Sequence, residues 1–194
     1  MYKLFELRKN TASRLAAMFL CIMMVFALSS CGEEPEPEPV IQVPYYIGVS
    51  LASSEAEPSE ASEEYRKQIE KAFAAMETET EVFRVEFLYS EGDQLKQEHN
   101  VNQLIAEGMD CVFMELISAE TGPAMRDLIL DSGGTYGVFI GTQPEDGSLD
   151  EKYVFSYIGD AGAQQEISQA AQAIAELLLP QPEPEEGEET EAQS

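Results

Sequence analysis

Glu115 is the residue with the sharpest chemical demand. It interrupts the apolar run at 111–117, CVFMELI, toward its carboxyl end, where burying a charge without a partner would be costly. Its carboxylate either faces a cleft and meets a ligand or a cation, or marks the solvated end of a strand. Other polar side chains stand at comparable points beyond short apolar runs: Glu55 and Glu57 after 45–51, Thr142 and Gln143 after 136–140, and Asp160 after 153–158. Carboxylates, a hydroxyl and an amide are groups that hydrogen-bond a small solute without cleaving it.

Equipment for catalysis is sparse. The only imidazole, His99, falls inside a helical period between Glu98 and Asn100 and reads as a surface helix residue. No serine sits in a nucleophile elbow, and no glycine-rich phosphate cradle of the G-x-G-x-x-G or G-x-x-x-x-G-K type occurs. Zinc would want several His or Cys ligands, which this chain lacks. The acidic stretch at 145–151, EDGSLDE, misses the D-x-[DN]-x-[DN]-G spacing of a calcium loop and reads as a solvated turn. Cys111 lies in an apolar run with nothing beside it to lower its pKa, so it reads as a small core residue. The chain is not expected to be an enzyme, and neither a cofactor nor a metal is expected.

The elements that must position these groups are short apolar runs alternating with longer helical periods. Strands are predicted at 45–51, 81–89, 111–117, 136–140 and 153–158, and helices at 59–77, 93–107, 120–131 and 161–179. The first helix places Tyr65, Ile69, Ala72, Phe73 and Met76 on one face. The second is capped by Asp93, uses Leu95, Val101, Leu104 and Ile105 as apolar positions, and stops at Gly108. Strands buried on both faces and separated by helices mean a parallel sheet with right-handed crossovers, a doubly wound α/β layer of about five strands. In such a sheet the ligand lies beyond the carboxyl ends of the strands, near the point where strand order reverses. Those ends are 52–58, 89–92, 115–119, 141–144 and 159–162.

Charge excludes one large class of partner. The chain has 194 residues, 37 acidic against 11 basic side chains, and a formal net charge of −26. Its 44% hydrophobic content suffices for a core, but a phosphate backbone would be repelled, so no nucleic acid partner is expected. The acidity is also uneven along the chain. Residues 32–44, GEEPEPEPVIQVP, and the tail at 180–194 alternate Glu and Pro and read as extended and disordered, a tether and an acidic tail on either side of a domain at 45–179.

The N-terminus is different again. Lys3, Arg8, Lys9 and Arg14 precede an apolar run at 15–28. At about 14 residues it is short of the roughly 20 that a permanent spanning helix needs, so residues 1–30 read as an export signal. The run closes on Leu28-Ser29-Ser30-Cys31, where the sequence resembles a bacterial lipoprotein. That resemblance implies cleavage before Cys31, diacylation of its thiol, and a protein lipid-anchored to the outer face of the cell membrane, since two acyl chains anchor stably where one does not.

Four segments carry a second resemblance: YYIGVSL; EGDQLKQEHNVNQLIAEGMDCVFMEL, with its Asp93-Gln94-x-x-Gln97 start and Leu104-Ile105-x-x-Gly108-x-Asp110 turn; TYGVFIG; and YVFSYIGDAGAQQEISQAAQAIAELL. Together they make residues 45–179 similar to bacterial type 1 periplasmic sugar-binding proteins of the galactose and ribose group. The resemblance implies a solute-binding component of an ABC-type uptake system, with a carbohydrate as ligand and a permease as partner. It places the final helical segment at the start of the family's second lobe, so the first lobe is expected with the second missing. Half of a site would then come from 52–58, 115–119, 141–143 and Asp160. Where the family puts an Asp or Asn and an aromatic ring after the first strand, this chain has Ala56 and Pro58, and Glu115 stands where an Asn often follows the third. The alternative is a single-lobe interaction module, a homo-oligomer or a docking unit on a membrane complex. Its surface would be the apolar face of the last helix, Ala170, Ala173, Ile174, Leu177, Leu178 and Leu179.

Overall fold

The computed structural model describes residues 40–158 and 162–180. Cys31, Asp160, the export signal and the acidic tail beyond 180 lie outside the described residues. The described chain alternates as anticipated: β1 (Val43–Leu51), α1 (Glu60–Ala74), β2 (Glu81–Tyr89), α2 (Gln94–Ala106), β3 (Cys111–Glu115), a 3-10 turn (Ala119–Thr121), α3 (Gly122–Ser132), β4 (Tyr136–Ile140), β5 (Val154–Ser156) and α4 (Ala163–Leu178).

The strands form one sheet in the order β2-β1-β3-β4-β5, and every neighbouring pair is parallel. The chain winds from β1 outward to β2, then returns past β1 to β3 and continues to β4. Crossovers of one hand therefore put the first helix on one face and the next two on the other. Two cores record this. On one face Ile47, Val49, Leu51, Phe113, Val138 and Ile140 meet Tyr65, Ile69 and Phe73 of α1 and Ile167, Ala170 and Ile174 of α4. On the other, Val112, Met114 and Phe139 meet Val101 and Leu104 of α2 and Met125 and Ile129 of α3. Successive residues of β3 alternate between the two cores, the period-2 signature of a strand covered on both sides.

Close approach of helix to sheet relies on two glycines. A Cβ on Gly48 would lie 3.0 Å from Leu104 Cδ1, and one on Gly137 would lie 2.9 Å from Ile129 Cγ1. Each glycine lets the facing helix settle on the sheet.

Several sequence expectations change in detail. β1 begins two residues earlier than the predicted 45–51, because Val43 donates to Thr80 and extends the pairing with β2. β3 ends at Glu115, short of the predicted 117, and β5 shrinks to Val154–Ser156. α1 stops at Ala74, with Ser59 as its cap outside it. Leu95, assigned to the apolar face of α2, is 75% exposed. Gln97 and Asn100 take the inward positions instead.

The last helix differs most. It does not begin another layer: α4 packs beside α1, with Ile167, Ala170, Ala171 and Ile174 in the core. The apolar face assigned to docking is thus spent inside the domain, and Leu177, 47% exposed, is its main remainder. Among the described residues no helix is long and apolar enough to cross a membrane.

Candidate functional site

Strand order reverses between β1 and β3, and in open α/β sheets it is beyond the carboxyl ends of such a pair that ligands bind. Glu115, the last residue of β3, stands at this point and is only 8% exposed. Its Oε2 accepts the Ala52 N–H at 3.0 Å and the Ser62 hydroxyl at 2.6 Å. The carboxylate thereby ties the chain leaving β1 to the first turn of α1, where Ser59 donates its hydroxyl to Ser62 at 2.9 Å and accepts the Ser62 N–H. This corrects the reading of Glu115 as a solvated strand end: the charge is buried and held by two donors. Both bonds end on Oε2, and Oε1 is the oxygen left for a further donor.

Below this point runs a polar seam on the opposite face. Gln97, fully buried in α2, donates to the Glu115 carbonyl at 2.7 Å and accepts the Ile117 N–H. Asn100 donates to Ser90 Oγ, which also pairs with Ser50. The turn after β2 is stitched to the one after β1 by Ser90, Glu91 and Gly92 N–H groups bonded to Leu51, Ser53 and Ala52 carbonyls. Glu91 adopts a left-handed φ of 56° to make this turn. The strand ends at the reversal point are therefore hydrogen-bonded from both faces of the sheet.

α4 supplies a further carboxylate. Glu166 in its first turn is 7% exposed and meets the Tyr65 hydroxyl, whose proton it accepts. Burial first, and then the charges of Glu166 and Glu115, push the Tyr65 phenol up to about 12. Tyr65 also abuts the loop after β4. Gly141, at φ 77°, passes so close that a Cβ there would lie 3.3 Å from the ring.

Of the residues singled out in the sequence, Glu115 lies at the centre. Thr142 follows Gly141, half-buried, and Gln143 is exposed beside it. Glu55 and Glu57 lie in the loop after β1 with their side chains in solvent. Ser62, Tyr65, Glu166 and Gln97 were not anticipated. One signal was available for Glu166, which shares the i, i+4, i+8 stripe with Ala170 and Ile174.

The arrangement is suited to holding and poorly suited to attack. The Ser62 hydroxyl, though 2.6 Å from a carboxylate, belongs to a fully buried residue beyond a substrate's reach. Burial pushes the Cys111 thiol well above its usual value, and His99 lies exposed on α2. In the loop after β4, Asp150 is occupied in accepting the Lys152 and Tyr153 N–H groups. Among the described residues no three potential metal ligands stand together.

No family model matches this chain, and no curated protein matches it. Solved structures that resemble it include ABC transporter solute-binding proteins and a fructose-binding periplasmic domain of a hybrid two-component system. One is the carbohydrate transporter solute-binding protein of Chloroflexus aurantiacus in complex with D-glucose, at 17% identity and a TM-score of 0.49, over 61% of this chain and 32% of that one. Another is a sugar ABC transporter protein of Yersinia enterocolitica, at 16% identity and a TM-score of 0.49, over 70% and 46%. A third, from Mycobacterium smegmatis with bound glycerol, gives 15% and 0.47 over 69% and 52%. The likeness is to part of each. This chain spans between about a third and a half of their lengths, and its α/β class rests on the strand order and packing given above.

Proposed function

We propose that this protein is a non-enzymatic binding lobe for a small hydroxyl-rich solute, of the carbohydrate class, at the carboxyl ends of β1 and β3. The observation that carries the reading is Glu115: a buried carboxylate at the sheet's reversal point, with Oε2 fixed by Ala52 and Ser62 and Oε1 left to accept a ligand hydroxyl. Thr142, Gln143, Glu55 and Glu57 border the same end of the sheet and supply further acceptors and donors, with Asp160 assigned to the same site from the sequence. The solved structures named above agree in type, their ligands being a sugar in one case and glycerol in another. In this reading Cys31 carries lipid, the Glu-Pro segment tethers the domain outside the cell membrane, and a permease receives the solute.

Titration calorimetry of the full chain in a non-ionic detergent tests the binding, with D-galactose, D-ribose, D-glucose and glycerol as probes. A saturable heat with one of them, reduced tenfold or more in Glu115→Gln at unchanged fold, is the expected result, a charge-assisted hydrogen bond being worth about 1.5–3 kcal/mol. Absence of heat with every probe overturns the carbohydrate assignment. Labelled palmitate entering the wild type but not Cys31→Ala checks the anchor separately.

A further inference from the structure

We infer that the free edge of β2 is a self-association surface, through which two copies of this chain pair antiparallel about Val85. The edge is long. β2 runs nine residues and borders only β1, so one whole side of it is open in the sheet. Which backbone groups face outward follows from parity. Val43 N–H bonds to Thr80 O and Ser90 N–H to Leu51 O, so even-numbered residues of this segment turn toward β1. The odd ones turn out, as shown by Phe83, whose N–H reaches the Glu77 carboxylate at 3.1 Å, and by Glu81, whose carbonyl accepts from Thr78. The start of the edge is thus closed by its own turn. The Val85 and Phe87 N–H and C=O groups and the Phe83 carbonyl have no such cover among the described residues.

Side chains then select the partner and the register. Arg84 and Glu86 project from the exposed face of β2, and neither has an ion-pair partner among the described residues. A strand guarded against its own kind carries like charges, which repel in self-pairing. Here the two charges are opposite and two apart. A twofold axis at Val85 sets Arg84 of each copy against Glu86 of the other, in the non-hydrogen-bonded pairs where side chains approach most closely. The same axis sets Phe83 against Phe87 on the other face, where both rings already join the aromatic core. Val85 exchanges both backbone bonds with its counterpart, and each Phe87 N–H finds a Phe83 carbonyl. Moving the axis one residue either way sets Arg84 on Arg84 or Glu86 on Glu86. Charge therefore admits this register and opposes its neighbours.

Sedimentation velocity of the full chain in non-ionic detergent, with micelles in excess, tests the pairing up to about 0.5 mM, since an edge-strand contact is small. The wild type is expected to dimerise reversibly. Arg84→Glu is expected to weaken the dimer about tenfold or more, as two cross-strand pairs turn from attraction to repulsion, and Glu86→Arg to do the same. The double variant Arg84→Glu/Glu86→Arg restores the pairs with reversed polarity and recovers the dimer. Both side chains are exposed, so circular dichroism and urea midpoints should stay at wild-type values and certify the fold. A wild type that is monomeric throughout, a dimer indifferent to Arg84→Glu, or a double variant no better than the single ones overturns the inference.

Discussion

Two residues at the candidate site make separable predictions. Removing the Glu115 carboxylate orphans the Ser62 hydroxyl and the Ala52 N–H, both held within 3.0 Å of it. Glu115→Ala is expected to lower the unfolding free energy by about 2–4 kcal/mol in urea, the scale of buried donors left unpaired. Glu115→Gln retains an acceptor and should cost less than half as much. Tyr65 answers to base instead. Its phenol titrates at 10.0 in an ordinary setting and at about 12 here, so between those values the native state holds a proton that the unfolded chain has released. Stability is then complete below pH 10 and declines as pH rises toward 12. Urea midpoints across that window should fall more steeply for the wild type than for Tyr65→Phe, and equal slopes would show that Tyr65 does not carry the effect.

At the scale of elements, fit between helix and sheet is what a substitution can probe. Gly137 faces Ile129 of α3 so closely that a Cβ would stand 2.9 Å away and 3.1 Å from Met114 Cε. Gly137→Ala is expected to cost about 1–3 kcal/mol by overpacking, measured by urea unfolding, and less in an Ile129→Ala background, where the clashing Cγ1 is gone. Local pattern made much of this architecture legible. β2 and β4 fall at their predicted bounds, since residues 81–89 and 136–140 are set off by turns, and Asp93 caps α2 by accepting the Lys96 N–H. Periodicity failed where a helix buries polar groups. Leu95 fitted the apolar stripe by type, yet Gln97 and Asn100 turn inward because the strand ends they serve need hydrogen bonds. The site was legible in part for the same reason. Glu115 announced itself as a charge in an apolar run, whereas its partner Ser62 and nearby Tyr65, which bonds Glu166, passed as a helix start and a core face. Pairing across 53 residues of sequence cannot be read from local spacing.

For the molecule as a whole, charge is the dominant global term. Between residues 45 and 179 the chain carries 26 acidic side chains against seven basic ones. Among the described residues the ion pairs engage Arg66, Lys67, Lys96 and Arg126, which leaves a large surplus of negative charge on the domain. Within this surplus Glu63 is an exception. Hydrogen bonds from Arg66 and then Lys67 hold its carboxyl down to about 2, so that pair persists in acid well below the range where free carboxylates protonate. Folding gathers the unpaired charges into a smaller volume, and the repulsion between them weakens the native state more than the expanded chain. Salt screens exposed charges beyond roughly 10 Å at 0.1 M. Raising KCl from 10 mM to 0.5 M at pH 7 is therefore expected to stabilise the fold by on the order of 1 kcal/mol, the worth of a few surface charge contacts. The control is pH. Near pH 4 many carboxylates are neutral, the repulsion is partly gone, and the same salt step should yield a smaller gain in the urea midpoint. A gain of equal size at both pH values would assign the effect to general salting-out and leave self-repulsion without a measurable part in the stability of this domain.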